Sequence, residues 1–353
     1  MYPWLLYKIN RYLALIICSI FLLNGPAFAA CLTPNISERL INFCLLERTK
    51  DSIVPLTFAK EFDYRLKRSG YSNGVGLSGK VEQSVINYNF SPVFYYSSNI
   101  NGGNPDKDLV LGDYIFKGDR NLLRKKGFLT GVSSGLNGRS IYGEGRHFDF
   151  YAQVSHAHSF QYNIGINNLS SGFCFANHIK AFWHIDICGN SSQIRRKIVS
   201  ERNSDLSLNL AKLSTSNSST HSLNSLGIRR NFVENFKQDQ LIFSSERLNS
   251  WGLLTKISGL IGEAVIDKQV TRQALAIELR RQIFGKQLTS SWSFEKRSGG
   301  KLFGFSLQEI IQSVNVSYPI LSNTSVGLGF TQINSKLDYF SSLEPHFSIQ
   351  FKL

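Results

Sequence analysis

Phe148-Asp149-Phe150-Tyr151-Ala152-Gln153-Val154-Ser155 is the stretch on which the reading of the fold turns. Phe148, Phe150, Ala152 and Val154 occupy every second position, and Asp149, Tyr151, Gln153 and Ser155 fill the gaps. A strand sends successive side chains to opposite faces, so this segment has one apolar and one polar face. The same period returns along the chain. Leu206, Leu208 and Leu210 alternate with Ser207, Asn209 and Ala211, and Leu275, Ile277 and Leu279 with Ala276, Glu278 and Arg280. Val314, Val316 and Tyr318 are separated by polar residues, and Val326, Leu328 and Phe330 are interleaved with Gly327, Gly329 and Thr331. Phe347, Ile349, Phe351 and Leu353 form the last such run, against His346, Ser348, Gln350 and Lys352.

Turn signals punctuate these runs: Asn101-Gly102-Gly103-Asn104-Pro105, Gly143-Glu144-Gly145, Ser216-Asn217-Ser218-Ser219, Ser298-Gly299-Gly300 and Ser322-Asn323. At roughly 20 residues per strand and connection, residues 78–353 hold about 14 strands, within a range of about 14 to 16. Composition agrees. The 353 residues include 26 Phe, 14 Tyr and 28 Gly but one Met and 8 Pro, a bias toward strands and tight turns. An all-α enzyme and a disordered tail protein are both excluded. No 20-to-50-residue repeat is visible, which leaves solenoids and propellers unsupported.

Residues 1–29 read as a cleavable signal peptide. Lys8 and Arg11 precede the apolar run Leu13 to Leu23, and Gly25-Pro26 precedes the small-x-small site Ala27-Phe28-Ala29. The run is too short to span a bilayer, which takes about 20 apolar residues. Cys31 after Phe28-Ala29-Ala30 also admits a lipoprotein signal, although Phe three residues before the Cys is a poor match. Beyond the signal remain Cys31, Cys44, Cys174 and Cys188, an even set in an exported chain, and their spacing suggests the bridges Cys31–Cys44 and Cys174–Cys188. A continuous helix between Cys31 and Cys44 would hold them about 19 Å apart, against a disulfide reach of about 7 Å, so either the Pro34 to Leu46 stretch turns within that span or the bond is absent. Residues 30–77 thus read as a short disulfide-tied segment, a helical plug or cap, followed by a linker.

Period two also describes a soluble β-sandwich. Export, the uninterrupted meander and the terminal run Phe347 to Leu353 favour a closed barrel, because a long apolar edge strand in an open sheet invites aggregation whereas in a barrel it seals the wall. The expected fold is therefore an all-β, transmembrane antiparallel barrel over 78–353, located in the bacterial cell outer membrane. The alternative is a soluble exported all-β binding or structural protein of the periplasm.

Ser91-Pro92-Val93-Phe94-Tyr95-Tyr96-Ser97-Ser98-Asn99-Ile100-Asn101-Gly102-Gly103 resembles the beginning of the barrel in the surface lipoprotein assembly modifier family, where an early strand ends in an Asn-Ile/Val-Asn segment before a long loop. The final strand resembles the C-terminal signal by which outer-membrane barrels are recognised for insertion, with Leu353 where Phe or Trp is usual. The resemblance covers the barrel only, since the helical-repeat domain that precedes it in that family has no counterpart here. It implies a translocation barrel for an exported protein passenger.

Chemistry-bearing constellations are few. Gly74, Gly76 and Gly79 before Lys80 match a dinucleotide-binding pattern, but a strand-like run follows instead of a helix, which makes this a loop. His156, His158, His178 and His184 lie close in sequence and read as surface or lumen histidines rather than metal ligands. Phe175 to Asp186 between Cys174 and Cys188 reads as an aromatic loop with a disulfide at its neck, either a fixed lid or a stapled exposed loop. Ser214 to Ser222 also reads as loop. No nucleophile or acid–base constellation stands out, so an enzyme is not expected, nor any cofactor.

The net charge is +14, two of it in the signal. Basic clusters at Arg124-Lys125-Lys126, Arg195-Arg196-Lys197, Arg229-Arg230 and Arg280-Arg281 would lie near lipid phosphate or in the lumen. Expected partners are outer-membrane lipids and lipopolysaccharide, the barrel-assembly machinery and an exported passenger. Nucleic acid is not expected. The conduit is either a translocation barrel or a porin-like pore with anion preference, with Arg280 as candidate lumen charge.

Overall fold

A computed structural model describes residues 37–49, 64–70, 84–105, 107–111, 113–216, 220–249, 251–321 and 323–351. A helix, α1 (Glu38–Thr49), comes first. Ser37 caps it by accepting the Leu40 N–H on its hydroxyl, with Glu38 in the first turn, where negative charge is favoured. A helical turn at 64–68 follows. Then come β1 (Ser84–Ser97), the small pair β2 (Leu109–Leu111) and β3 (Tyr114–Phe116), and β4 (Gly127–Gly143). Next are β5 (Arg146–Ser159), β6 (Ile164–Lys180), β7 (Trp183–Arg195), β8 (Ser200–Ser216), β9 (Thr220–Val233) and β10 (Phe236–Leu248). The last are β11 (Leu254–Gly262), β12 (Val270–Ile283), β13 (Lys286–Leu302), β14 (Phe305–Leu321), β15 (Thr324–Ser335) and β16 (Ser342–Phe351).

Every strand except β2 and β3 belongs to one closed antiparallel barrel of 14 strands, each paired with its sequence neighbour. Closure is made by β1 and β16, with Phe94 opposite Ile349 and Tyr96 opposite Phe347. Phe94 stacks on Phe128 at 5.3 Å and meets the edge of Phe347 at 6.4 Å, so aromatic rings cover the seam on the outside. The apolar terminal run therefore seals the wall, and its backbone groups find partners on both sides. The barrel boundary expected at residue 78 lies outside the described residues, as do the signal peptide and the Gly74 to Lys80 stretch.

The two faces divide as the alternation requires, with the apolar face outside. Leu206, Leu208 and Leu210 are 47%, 45% and 44% exposed, while Ser207 and Ala211 on the alternate face are buried. That is the reverse of a sandwich core. Along β5 the inward side chains include His147, Asp149 and Gln153, and Val154 lies exposed on the outside.

Two expected loops are strand instead. Ser298-Gly299-Gly300 lies inside β13, where the register against β14 shifts between Ser298 and Lys301. Gly299 and Gly300 have φ of +103° and +72°, so the glycines serve a bulge rather than a strand end. Ser214 to Ser216 and Thr220 to Ser222 likewise continue β8 and β9, since polar residues on both faces hide a strand whose inner face is itself polar.

The barrel ends differ. One has two-residue turns at 144–145, 181–182 and 284–285. The other carries the long connection 98–126 and the connections 263–269 and 336–341. These are the turn end and the loop end.

Candidate functional site

The site is the lumen, and α1 is docked in it at the turn end. Leu40, Phe43, Cys44 and Leu45 are buried against Leu213, Leu248 and Leu254, which are inward residues at the turn-end tips of β8, β10 and β11. The Phe43 ring meets Phe182 of the β6–β7 turn edge-on at 4.9 Å and His221 of β9 at 5.8 Å. Burying each large apolar side chain is worth about 1.5–3 kcal/mol, so this seat is the main attraction.

Charges fix the helix in the seat. Arg39 makes a two-pronged ion pair with Asp186 of β7, at 2.6 and 2.7 Å. Glu38 bonds Arg139 of β4, and Arg139 also holds Asp149 of β5 through two hydrogen bonds of 2.6 and 2.8 Å. Glu246 of β10 accepts the Ser37 N–H at 2.8 Å. The anchors lie on strands from β4 round to β11, and the helix backbone runs nearest β8 and β9. Gly70, at φ +85°, brings the end of the 64–70 segment against the Gly143 carbonyl, where a Cβ would be only 2.3 Å away.

At the loop end the segment 98–104 folds inward. Ile100 is fully buried against Leu129, Ala157, Ile164 and Ile166. The Asn101 side chain donates to the Leu123 carbonyl and accepts the Lys125 N–H, both at 2.8 Å, while its own carbonyl accepts the Ile198 N–H at 3.0 Å. Arg124 and Ser98 both bond Glu344 of β16. The connection thus covers the β1–β7 side of the mouth. The opposite side holds a cavity of about 490 Å³ lined by Asn203, Asn231, Gln238, Thr271 and Arg297. Deeper lies a cavity of about 530 Å³ with Asn137, Arg139, Tyr151, Asn190, Asn209 and Arg229 on its lining, and beside α1 one of about 560 Å³. Arg139, Asp149 and Cys174 border both of the last two, which makes them neighbours.

Cys174 and Cys188 are bonded, and they are directly opposed residues of β6 and β7 facing this lumen. The aromatic loop expected between them is a β-hairpin turning at 181–182, with a register shift between His178 and Lys180 just before the turn and Phe175 on the outer face. Neither a lid nor a stapled loop exists there, because the alternation Phe173, Phe175 and Ile185, Ile187 carries the ladder through to the turn. Cys44 is disulfide-bonded, and its expected partner Cys31 lies outside the described residues.

Arg280 sits on the inner face of β12 and is ion-paired with Glu278. Other lumen charges are matched the same way, Arg297 with Glu295 at 2.7 Å and Arg229 with Asp205 at 3.8 Å. His178 and His184 are cross-strand partners with rings 5.1 Å apart, near His147 beside α1, whereas His156 is bonded to Asn167. Among the described residues no three His, Cys, Asp or Glu side chains converge as a metal-ligand set. Sequence reasoning missed the α1 latch, whose signal was only the adjacent pair Glu38-Arg39 within an apolar helix.

No protein-family model and no curated protein matches the chain. Solved structures similar to it include Acinetobacter baumannii OccAB2, 7% identical over 76% of this chain and 98% of that one, with a TM-score of 0.39. Pseudomonas aeruginosa OccK2 (OpdF) in complex with glucuronate is 9% identical over 76% and 98%, at 0.40. The KdgM porin is 10% identical over 75% and 99%, at 0.33.

Proposed function

We propose that the protein is an integral outer-membrane barrel that conducts small hydrophilic solutes, with a preference for anions, and that α1 closes it from the periplasmic side. The observation that carries the reading is a closed 14-strand wall, apolar outside, around a polar lumen that ends on a docked helix. A soluble barrel would bury its apolar face, not present Leu206, Leu208 and Leu210 outward. Short turns belong to the periplasmic side of such barrels and long loops to the outside, which sets the turn end inward. The lumen charges Arg280, Arg297 and Arg229 are matched in pairs, so anion preference rests on the overall excess of base, about +12 once the signal peptide is removed.

Reversal potentials of the chain lacking residues 30–70, across planar bilayers under a potassium chloride gradient, test this. They are expected to shift toward chloride, and the shift should shrink in Arg280→Gln, which leaves Glu278 unmatched. Potentials toward potassium, or no openings even after removal of α1, would overturn it. A second reading, a translocation barrel of the surface lipoprotein assembly modifier kind, is favoured by the Asn99-Ile100-Asn101 segment folded into the mouth. Surface accumulation of a passenger encoded by a neighbouring gene, dependent on this protein, distinguishes it from a solute pore.

A further inference from the structure

The conduit leaves unused a basic patch on the outer wall near the loop end. The barrel register settles which side chains share that face. Exposed Leu169 pairs with Gln193, which pairs with Arg202, and Asn167 pairs with Arg195. Ser204 pairs with Phe232 and Phe232 with Lys237, and exposed Leu206 pairs with Arg230, which pairs with Asp239. Arg195, Arg202, Arg230 and Lys237 thus stand on one outer face of β7 to β10, close to the rim. Below them the same face runs Ile187, Leu208, Ile228 and Leu241, all apolar and exposed.

The acids on this face are mostly engaged. Asp239 holds Arg230 through two hydrogen bonds of 2.6 Å, and Glu263 accepts the Asp239 N–H at 3.0 Å. Arg202 and Lys237 have no carboxylate partner among the described residues. They line an outward groove of about 600 Å³ with Ser204, Phe232 and, at the β9–β10 turn, Glu234. Lys237 lies over the Phe232 ring at 5.8 Å. A long cation above an apolar band, with an aromatic ring between, suits a ligand that is anionic at its head and hydrocarbon below. In a membrane wall that depth is where headgroups begin.

We infer that this groove binds a phosphorylated glycolipid of the outer leaflet, its phosphate on Arg202 and Lys237 and its acyl chains along Leu208, Ile228 and Leu241. The inference rests on the outer-membrane reading with the loop end outward. Its test is native mass spectrometry of the folded full-length chain, released from detergent after mixing with diphosphorylated lipid A, with the dephosphorylated form, or with inorganic phosphate. The diphosphorylated lipid should be retained, with the dephosphorylated lipid at least tenfold weaker. Arg202→Gln/Lys237→Gln should weaken retention at least tenfold, while Lys212→Gln, which removes a cation stacked on Trp183 at the opposite rim, should not.

Equal retention by the wild type and the double variant, loss in Lys212→Gln as large as in the double variant, or inorganic phosphate binding as tightly as the lipid would overturn it. Heat-modifiable migration checks folding of each protein, and the single variants serve if the double one does not fold. A folded, detergent-dependent barrel that retains no lipid defeats this inference alone, whereas a chain soluble without detergent defeats the membrane reading beneath it.

Discussion

Leu208 and Asn209 are adjacent, yet one faces outward and the other lines the lumen cavity. An Arg on the lipid face costs about 2–4 kcal/mol near mid-membrane, and much less in a water-filled lumen. Leu208→Arg should therefore sharply reduce the heat-modifiable folded fraction, while Asn209→Arg should leave it near wild type. Equal tolerance would contradict the assignment of faces. This much was legible residue by residue, because alternation needs only neighbours two positions apart. The pairing of Arg280 with Glu278 was within reach of the same reasoning, since the two share a strand face, but the sequence reading took Arg280 as a free charge.

At the scale of the element, α1 was legible as a cap or plug and its docking was not. Glu38 meets Arg139 and Arg39 meets Asp186 across 101 and 147 positions of chain, and no local pattern encodes such distances. Arg139→Ala removes both the Glu38 and the Asp149 contacts. Charge-assisted hydrogen bonds of this kind are worth about 1.5–3 kcal/mol, so the undocked fraction of α1 should rise roughly 10- to 100-fold. Single-channel recordings should register this as more frequent openings, and unchanged opening frequency would mean that the apolar seat alone holds the helix.

The β6–β7 hairpin makes a different prediction. Its bridge closes a loop of sequence separation 14, worth about 3 kcal/mol through the unfolded chain. The ladder around it pairs continuously from Asn167 to His178. Cys174→Ser/Cys188→Ser should lower the unfolding temperature and leave conductance unchanged, and a rise in conductance would restore the constriction that the sequence suggested. The glycines at 299 and 300 misled for a related reason. Gly signals positive φ equally well in a turn and in a bulge, and only the register across β14 separates the two.

For the molecule as a whole, strand number followed from length and period, and closure from an apolar run at the chain end. What period two could not supply was the content of the lumen, because a plug and an open pore have the same wall. Under the proposed function, the helix seated on Leu213, Leu248 and Leu254 holds the barrel stopped at rest. The most direct measurement is single-channel conductance in planar bilayers of the purified full chain beside a chain lacking residues 30–70. The full chain should be silent or open only in brief events, and the shortened chain should conduct steadily at a fixed level. Steady conductance of the same size from both, or none from either while both remain folded, would contradict the account.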